Sequence, residues 1–398
     1  MLAMIDTTGN IVIYDAAGKN PIKVTTDAVP GSRVYQWPTW ATDGRLAYFG
    51  ASDDSADAYS LRVFVVDPFT AGSVPKIHTA FTSRTDTFTY AYWSPANCTS
   101  GANCRDLALL YTPADGSGLA VRLIREADGT FSDHILDHAS PFYYSFAADG
   151  NRMLWFQNGD SLKLYDIASA KITQTLTDQP GQFQSPMWSP TDDRLLFGVR
   201  DPANAQLTDL VIAQGEKRTA IAQALPPPLS FAWSPSGTQV AYVSAFGQVT
   251  VIDDQRGVAI AQSKYTDTIG FFWAPQSDRI AYFTVNRPTA GVQARMRANG
   301  HTPVEQAVGG LTLHILDIKT GTDTSYASFI PSQTMIYLLN FYDQFAHSHR
   351  LWSPDGRYVT YASTDTIGQS GVYLADTRQA DAATPVKIGT GVIGIWSY

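Results

Sequence analysis

The sequence is poor in charge, in basic residues and in long apolar runs. Charged residues make up 16% of the 398 residues, against about 25% in a typical soluble domain, which argues against a disordered chain or a coiled coil. The 28 basic residues are outnumbered by 36 acidic ones, so the basic footprint of a nucleic-acid-binding protein is missing. No apolar run approaches the roughly 18 residues of a membrane span. The first thirty residues lack the basic-then-apolar layout of a signal peptide, so an export signal would lie outside this sequence.

Motifs for catalysis and for cofactor binding are also missing. The sequence has no Gly-x-Ser-x-Gly nucleophile elbow, no Gly-rich phosphate loop, no His-Glu-x-x-His motif and no EF-hand spacing. The segment Gly368–Gly371 superficially resembles an elbow, but we expect a turn between two strands there. We therefore expect no catalytic nucleophile and no cofactor.

What the sequence does contain is a repeat. In each unit an apolar strand ends at an aromatic marker, a turn of the Ser-Pro-Asp-Gly type follows, and a second strand comes next. Proline presets φ near −65° and glycine tolerates positive φ, which suits both to such a turn. Seven of the nine tryptophans occupy the marker position. The markers are Trp40, Trp93, Phe146, Trp188, Trp233, Trp273, Trp352 and Trp396.

The repeat predicts a β-propeller. Most units continue with a third strand that ends in an aspartate and with a short fourth strand, which together make a four-stranded antiparallel blade. The interval between Trp273 and Trp352 is the longest, and we assign it to one blade with insertions at 286–309 and 331–349. Residues 391–398 supply only an innermost strand, and residues 1–27 supply the other three. We therefore predict one domain, 1–398, with eight blades, closed by N-terminal strands pairing with the C-terminal strand.

These residues resemble the WD40-like repeat of the TolB-type β-propellers. The same repeat occurs in the propeller domains of prolyl-oligopeptidase and dipeptidyl-peptidase relatives and of the tricorn protease. The resemblance covers the whole chain, but it rests on turn and core residues. It therefore implies a fold and leaves the function open.

The two cysteines, Cys98 and Cys104, bracket a loop rich in Gly, Asn and Ser. This arrangement favours a local disulfide, since Cys-x₅-Cys is not a zinc spacing. A pair of free thiols and half of a metal site are the alternatives. A disulfide implies an oxidising compartment, so we expect a periplasmic, cell-surface or secreted protein.

His347 and His349 are the residues most suggestive of chemistry. We expect them on an innermost strand, where residues two apart point to one face, as metal ligands or a catalytic pair could. Propeller-type oligogalacturonate lyases carry a metal held by histidine near their channel, so a channel enzyme is one hypothesis. No carboxylate pattern completes such a set, and polar histidines that line the channel are the alternative.

The non-repeating sequence concentrates on the face that carries the connections from second to third strand and from blade to blade. Aromatic and arginine side chains there have the composition of binding hot spots. The alternative is that the aromatics cap the core between blades. The candidate binding residues are Arg33, Tyr35, Arg84, Tyr90, Tyr143, Phe183, Phe271, Arg295, Arg297, Tyr337, Phe341, His347 and His349.

Three functions fit the sequence. The first is an exported, non-catalytic, monomeric propeller that binds a protein, a peptide or a glycan on this face. The second is a channel enzyme, a polysaccharide lyase or hydrolase that uses His347 or His349, with or without a metal. The third is the accessory propeller of a peptidase whose catalytic domain is not in this sequence.

Overall fold

The computed structural model describes residues 1–69, 73–98, 101, 103–286, 310–378 and 384–398. The backbone of these residues is almost entirely antiparallel strand, and two short helices are inserted late in the chain. In the described part of the chain, neither helix has the length and apolar character needed to cross a bilayer.

The strands and helices follow one another in a regular order. Residues 1–98 contain β1 (Leu2–Asp6), β2 (Ile11–Tyr14), β3 (Ile22–Lys23), β4 (Arg33–Trp40), β5 (Leu46–Ser52), β6 (Tyr59–Val66), β7 (Ile77–Ser83) and β8 (Thr87–Trp93). Residues 103–225 contain β9 (Cys104–Thr112), β10 (Leu119–Ala127), β11 (Thr130–Ala139), β12 (Phe142–Phe146), β13 (Arg152–Gln157), β14 (Ser161–Asp166), β15 (Lys171–Thr175), β16 (Met187–Trp188), β17 (Leu195–Arg200), β18 (Thr208–Gln214) and β19 (Lys217–Leu225). The remaining elements are β20 (Leu229–Trp233), β21 (Gln239–Ser244), β22 (Thr250–Asp253), β23 (Val258–Gln262), β24 (Thr268–Trp273), β25 (Arg279–Val285), β26 (Leu311–Asp317), β27 (Asp323–Phe329), α1 (Gln333–Asn340), α2 (Tyr342–Ser348), β28 (Tyr358–Thr364), β29 (Ser370–Asp376) and β30 (Val386–Trp396).

Six sheets each contain four consecutive antiparallel strands, which confirms the predicted propeller of four-stranded blades. They are β4-β5-β6-β7, β8-β9-β10-β11, β12-β13-β14-β15, β16-β17-β18-β19, β20-β21-β22-β23 and β24-β25-β26-β27. Inner strands such as β9 are buried along nearly their whole length, whereas the outermost strand β15 is exposed throughout. This gradient follows from blades that pack face to face around an axis.

The number of blades is seven, and the prediction of eight is wrong. The seventh sheet has six strands in the order β28-β29-β30-β1-β2-β3. The first half of β30 pairs with β29, where Thr390 lies opposite Gly371, and its second half pairs with β1, where Trp396 lies opposite Leu2. Because β30 runs without a break from Val386, the segment predicted to begin a separate eighth blade shares a sheet with the unit before it.

The marker tryptophans join neighbouring blades. In four units the indole N–H donates to the backbone carbonyl of the residue just before the neighbouring unit's marker. These bonds run from Trp40 to Ile395 (3.1 Å), Trp93 to Thr39 (3.0 Å), Trp273 to Ala232 (3.3 Å) and Trp352 to Phe272 (2.8 Å). The repeat therefore places one large apolar side chain with one donor at each of these blade contacts.

Arginines near the start of the second strand add a second link between blades. Arg279 donates to the carbonyl of Gly356 in the next unit (2.7 Å), and its guanidinium lies 5.2 Å from the ring of Trp352. Arg194 makes the equivalent bond to Gly237 (2.7 Å). These glycines have positive φ, +66° at Gly356, so the turn that carries the accepting carbonyl requires a residue without Cβ strain.

Two faces of the propeller follow from this topology. The plug face carries α1, α2, the connections between second and third strands, and the connections between blades. The turn face carries the turns between first and second strands, which include Pro95, Pro190, Pro235 and Pro275.

Candidate functional site

Helices α1 and α2, which together we call the plug, close the central channel at the plug face. Ser332 caps the N-terminus of α1, where its Oγ accepts a hydrogen bond from the backbone N–H of Met335 at 3.1 Å. Apolar side chains recur at helical spacing along both helices and are buried against the inner strands. They are Met335, Leu338, Leu339, Tyr342 and Phe345.

Two of the predicted binding residues hold the plug in place. Tyr90 donates its hydroxyl to the carbonyl of Gln344 in α2 at 2.8 Å, and the ring of Phe271 lies 4.9 Å from that of Tyr342. Both Tyr90 and Phe271 are 1% exposed. Neither side chain is available to a partner, so these two residues position the plug.

Tyr337 and Phe341 lie on the outward side of the plug. Their side chains are 39% and 41% exposed, and their ring centroids are 4.8 Å apart. The buried ring of Trp37 packs against the ring of Tyr337, with 5.3 Å between the ring centroids, and its centroid lies 4.5 Å from that of Phe345. Sequence reasoning missed Trp37, because it is one of the two tryptophans that do not occupy the marker position.

The predicted residues Arg33, Tyr35 and Arg84 lie at the plug-face end of the β4–β7 blade. Arg33 forms ion pairs with Asp27 (2.7 Å) and Asp54 (3.2 Å). Tyr35 is buried and donates its hydroxyl to Asp27 at 2.8 Å. Arg84 is exposed and lines an open groove of about 670 Å³ beside this cluster. The structure therefore brings these three residues together at one edge of the face.

Tyr143 and Phe183 lie at the plug-face ends of neighbouring blades. Both stack on Phe156, with ring centroids 6.3 Å and 4.6 Å away. They are half-buried between blades, as the capping alternative expects. Arg295 and Arg297, together with the rest of 287–309, lie outside the described residues.

His347 and His349 are not on a strand. His347 lies in α2 and His349 follows its last residue, because the helix continues to Ser348, where the repeat led us to expect an innermost strand. Nε2 of His347 lies 3.3 Å from Oγ of Ser185. His349 is held between Oγ of Ser348 at Nδ1 (2.6 Å) and Oγ1 of Thr39 at Nε2 (3.4 Å).

Both imidazoles are held in the neutral form by their surroundings. Burial lowers the pKa of His347 to about 4 and the pKa of His349 to about 3. Among the described residues, neither histidine belongs to a group of three or more potential metal ligands.

Asp343 is a second titratable group in the plug. It lies in the first turn of α2, where its Oδ2 accepts a hydrogen bond from Ser230 at 3.2 Å. No basic side chain in the described part of the chain forms an ion pair with it. Desolvation by burial raises the pKa of Asp343 to about 7.

A cavity of about 320 Å³ lies in the channel between α2 and the turn face. Ala346, His347 and His349 line it on the plug side, and marker rings and prolines of the repeat line the rest. Arg350 lies at this cavity and stacks on Tyr398, with its guanidinium 3.6 Å from the ring centroid. Sequence reasoning missed Arg350, although it directly follows the two histidines.

The loop between β8 and β9 contains a disulfide between Cys98 and Cys104, which confirms the predicted pairing. The backbone N–H of Cys98 also donates to the carbonyl of Cys104 at 3.1 Å. Arg45 of the preceding blade donates to the carbonyl of Asn103 at 3.0 Å. The disulfide therefore stabilises a loop that contacts the neighbouring blade.

Comparisons with known proteins agree with this architecture. No protein-family model matches the sequence, and no curated protein matches it. The C-terminal WD40 domain of Sif2 is similar in structure, with a TM-score of 0.51 and 14% identity over 87% of this chain and 83% of that one. In fold, the chain is a WD40-like β-propeller. The predicted resemblance is thus confirmed at the level of the fold.

Two further solved structures are similar to this propeller over nearly all of its length. An oligogalacturonate lyase in complex with manganese has a TM-score of 0.53 and 13% identity over 92% of this chain and 96% of that one. A eukaryotic initiation factor has a TM-score of 0.54 and 10% identity over 99% and 98%. At these identities the likenesses show the fold alone.

Proposed function

We propose that this propeller is a non-catalytic binding protein that captures a protein partner on the plug face. The distribution of exposed large apolar side chains over the surface supports this proposal. Of thirteen such side chains among the described residues, seven lie on the plug face, and these include all three aromatic ones. The seven are Val29, Val34, Phe246, Ile330, Tyr337, Phe341 and Ile367.

The other six lie elsewhere and are scattered. They are Val74, Ile77, Ile135, Ile172, Val258 and Val386, on outermost strands or close to their ends. Single exposed apolar residues are normal on any protein surface, whereas a concentration of them on one face is typical of an interaction surface.

Tyr337 and Phe341 are the proposed anchors of the interface. Aromatic side chains dominate binding energy where they are held rigidly before the partner arrives. Trp37 and the buried side of the plug already fix this pair. At one edge of the same face, Arg33 and Arg84 with their neighbouring aspartates supply polar groups of the kind that form the rim of protein interfaces.

Site-specific photo-crosslinking in the cells that make the protein tests this proposal. A crosslinking amino acid placed at Phe341 should trap one discrete partner, which mass spectrometry then identifies. The same amino acid at Ile172, which is equally exposed on an outermost strand, is the matched control and should trap none. Equal crosslinking at the two positions would contradict the proposal.

Affinity measurements with the purified partner complete the test. Truncation of a central aromatic anchor typically costs about 2 kcal/mol or more, so Tyr337→Ala and Phe341→Ala should each weaken binding by about thirtyfold or more. Ile172→Ala should leave the affinity unchanged. If the plug variants bind as tightly as the natural protein, the anchors are elsewhere and the proposal fails.

The likeness to a manganese-bound lyase raises a second candidate, a metal-dependent channel enzyme. The residues described here do not fit it, because both histidines are engaged by hydroxyl groups and no described carboxylate completes a ligand set. We derive no reaction from this candidate. Metal analysis of the purified protein tests it, since one equivalent of metal that is lost in His347→Ala would overturn the non-catalytic proposal.

We also propose that the protein works in an oxidising compartment, in the periplasm, at the cell surface or outside the cell. The Cys98–Cys104 disulfide supports this, because such bonds are rare in reducing compartments. Protein isolated from its native cells under acid quenching should resist alkylation at both cysteines until it is reduced. Alkylation without reduction would show that the native environment is reducing.

A further inference from the structure

The channel cavity on the turn-face side of the plug is a second recessed surface, separate from the proposed partner interface. Its walls include the marker rings of Trp188 and Trp233 and the prolines Pro190 and Pro235. At about 320 Å³ it reaches the lower end of the volumes typical of small-molecule sites, roughly 300 Å³. Aromatic and proline walls of this kind favour an apolar ligand body.

Nearly all of the side chains that line this cavity are uncharged. Among the described residues that line it, Arg350 alone carries a charged side chain at neutral pH. Its guanidinium stacks on Tyr398 but makes no ion pair and donates no hydrogen bond to any described group. A guanidinium has five N–H donors and pairs best with a planar carboxylate in a bidentate arrangement. The cavity thus offers a guanidinium that makes no described ion pair, beside apolar walls.

We propose that this cavity binds a small carboxylate-bearing ligand, with the carboxylate on Arg350 and an apolar or aromatic body against the marker rings. A monoanion matches the single positive charge. A phosphate dianion would leave one negative charge uncompensated among apolar walls, which is costly. The proposal does not depend on the plug-face interface, because the two surfaces lie on opposite sides of the plug.

Calorimetric titration with two matched probes tests the proposal. N-acetyl-L-phenylalanine carries the carboxylate and an aromatic body, and N-acetyl-L-phenylalaninamide has the same body without the charge. The acid should bind at least about tenfold more tightly than the amide, the difference that a charge-assisted bidentate pair provides. Arg350→Gln should reduce the affinity for the acid to that for the amide. Arg350→Lys should retain part of the preference.

Arg256→Gln is the control variant, since Arg256 is exposed in the turn between β22 and β23, and it should change neither affinity. Thermal unfolding of each variant establishes that it is folded before titration. Equal affinities for acid and amide would overturn the proposal. Full retention of acid binding in Arg350→Gln, or no detectable binding of the acid at millimolar concentration, would also overturn it.

Discussion

The indole N–H of Trp93 lies 3.0 Å from the backbone carbonyl of Thr39 in the neighbouring blade and donates a hydrogen bond to it. Trp396 occupies the same position in its own unit and is equally buried, yet its Nε1 has no described acceptor. The two side chains therefore differ mainly in one hydrogen bond, and they form a matched pair for measuring it.

Trp93→Phe should destabilise the protein more than Trp396→Phe. Both substitutions remove similar buried area, but only Trp93→Phe removes a hydrogen bond that is made in the folded protein, and such a bond typically contributes about 0.5–1.5 kcal/mol. Denaturant unfolding of the two variants measures the difference in the free energy of unfolding. Equal losses would show that the indole bond between blades contributes nothing net.

Much of the fold could be predicted because the repeat combines a marker ring with a turn signal. Trp40, Trp93 and Trp233 each end a described first strand, as the pattern predicts. The count of blades could not be predicted in the same way. A repeat marks units, and it does not show that β30 passes from one unit into the next without a turn.

The plug was missed for a different reason. Residues 333–348 break the repeat, so their aromatic content indicated a connection and not a helix. Met335, Leu338, Leu339 and Tyr342 follow the three-and-four spacing of a helix face, and that signal was available in the sequence. The site residues that depend on tertiary contact, such as Trp37 under Tyr337, have no such local signal.

Asp343→Asn should make the protein more stable at alkaline pH relative to the natural chain. The folded-state pKa is raised to about 7 from an ordinary value near 4, so between these pH values the folded state binds more protons than the unfolded state. The free energy of unfolding of the natural chain therefore falls as pH rises from about 4 to 7, by up to about 1.4 kcal/mol per pH unit.

Denaturant unfolding at several pH values from 5 to 8 measures this slope. The Asp343→Asn variant should lose less stability over that range than the natural chain. Asp160→Asn, at an exposed turn between β13 and β14, is the control and should follow the natural chain. Parallel curves for Asp343→Asn and the natural chain would contradict the expected ionisation of Asp343.

His347 and His349 should have the opposite effect on the pH dependence of stability, because they should make the free energy of unfolding fall as the pH becomes acidic. Their folded-state pKa values, about 4 and about 3, lie below the ordinary value near 6.5. The stability they support is present above pH 6.5 and is lost as pH falls, because the unfolded state then binds more protons.

The double variant His347→Gln with His349→Gln should therefore lose less stability between pH 6.5 and 4 than the natural chain does. At pH 7 the histidines are neutral, so the difference in the free energy of unfolding between the double variant and the natural chain at that pH measures the packing cost of the substitutions. His134→Gln, on the exposed outermost strand β11, serves as the control and should keep the natural slope. If the double variant has the natural slope, the imidazoles are not neutral in the folded protein.

Cys98→Ser with Cys104→Ser should lower the free energy of unfolding by about 2 kcal/mol, the chain-entropy value for so short a loop. The loop between β8 and β9 also carries the Asn103 carbonyl that accepts from Arg45, so opening the loop weakens a contact between blades. Reduction of the natural protein should produce the same loss, whereas reductant should not change the double variant. Denaturant unfolding with and without reductant makes the comparison. If reduction leaves the free energy of unfolding of the natural protein unchanged, the contact with the neighbouring blade holds the loop without the disulfide.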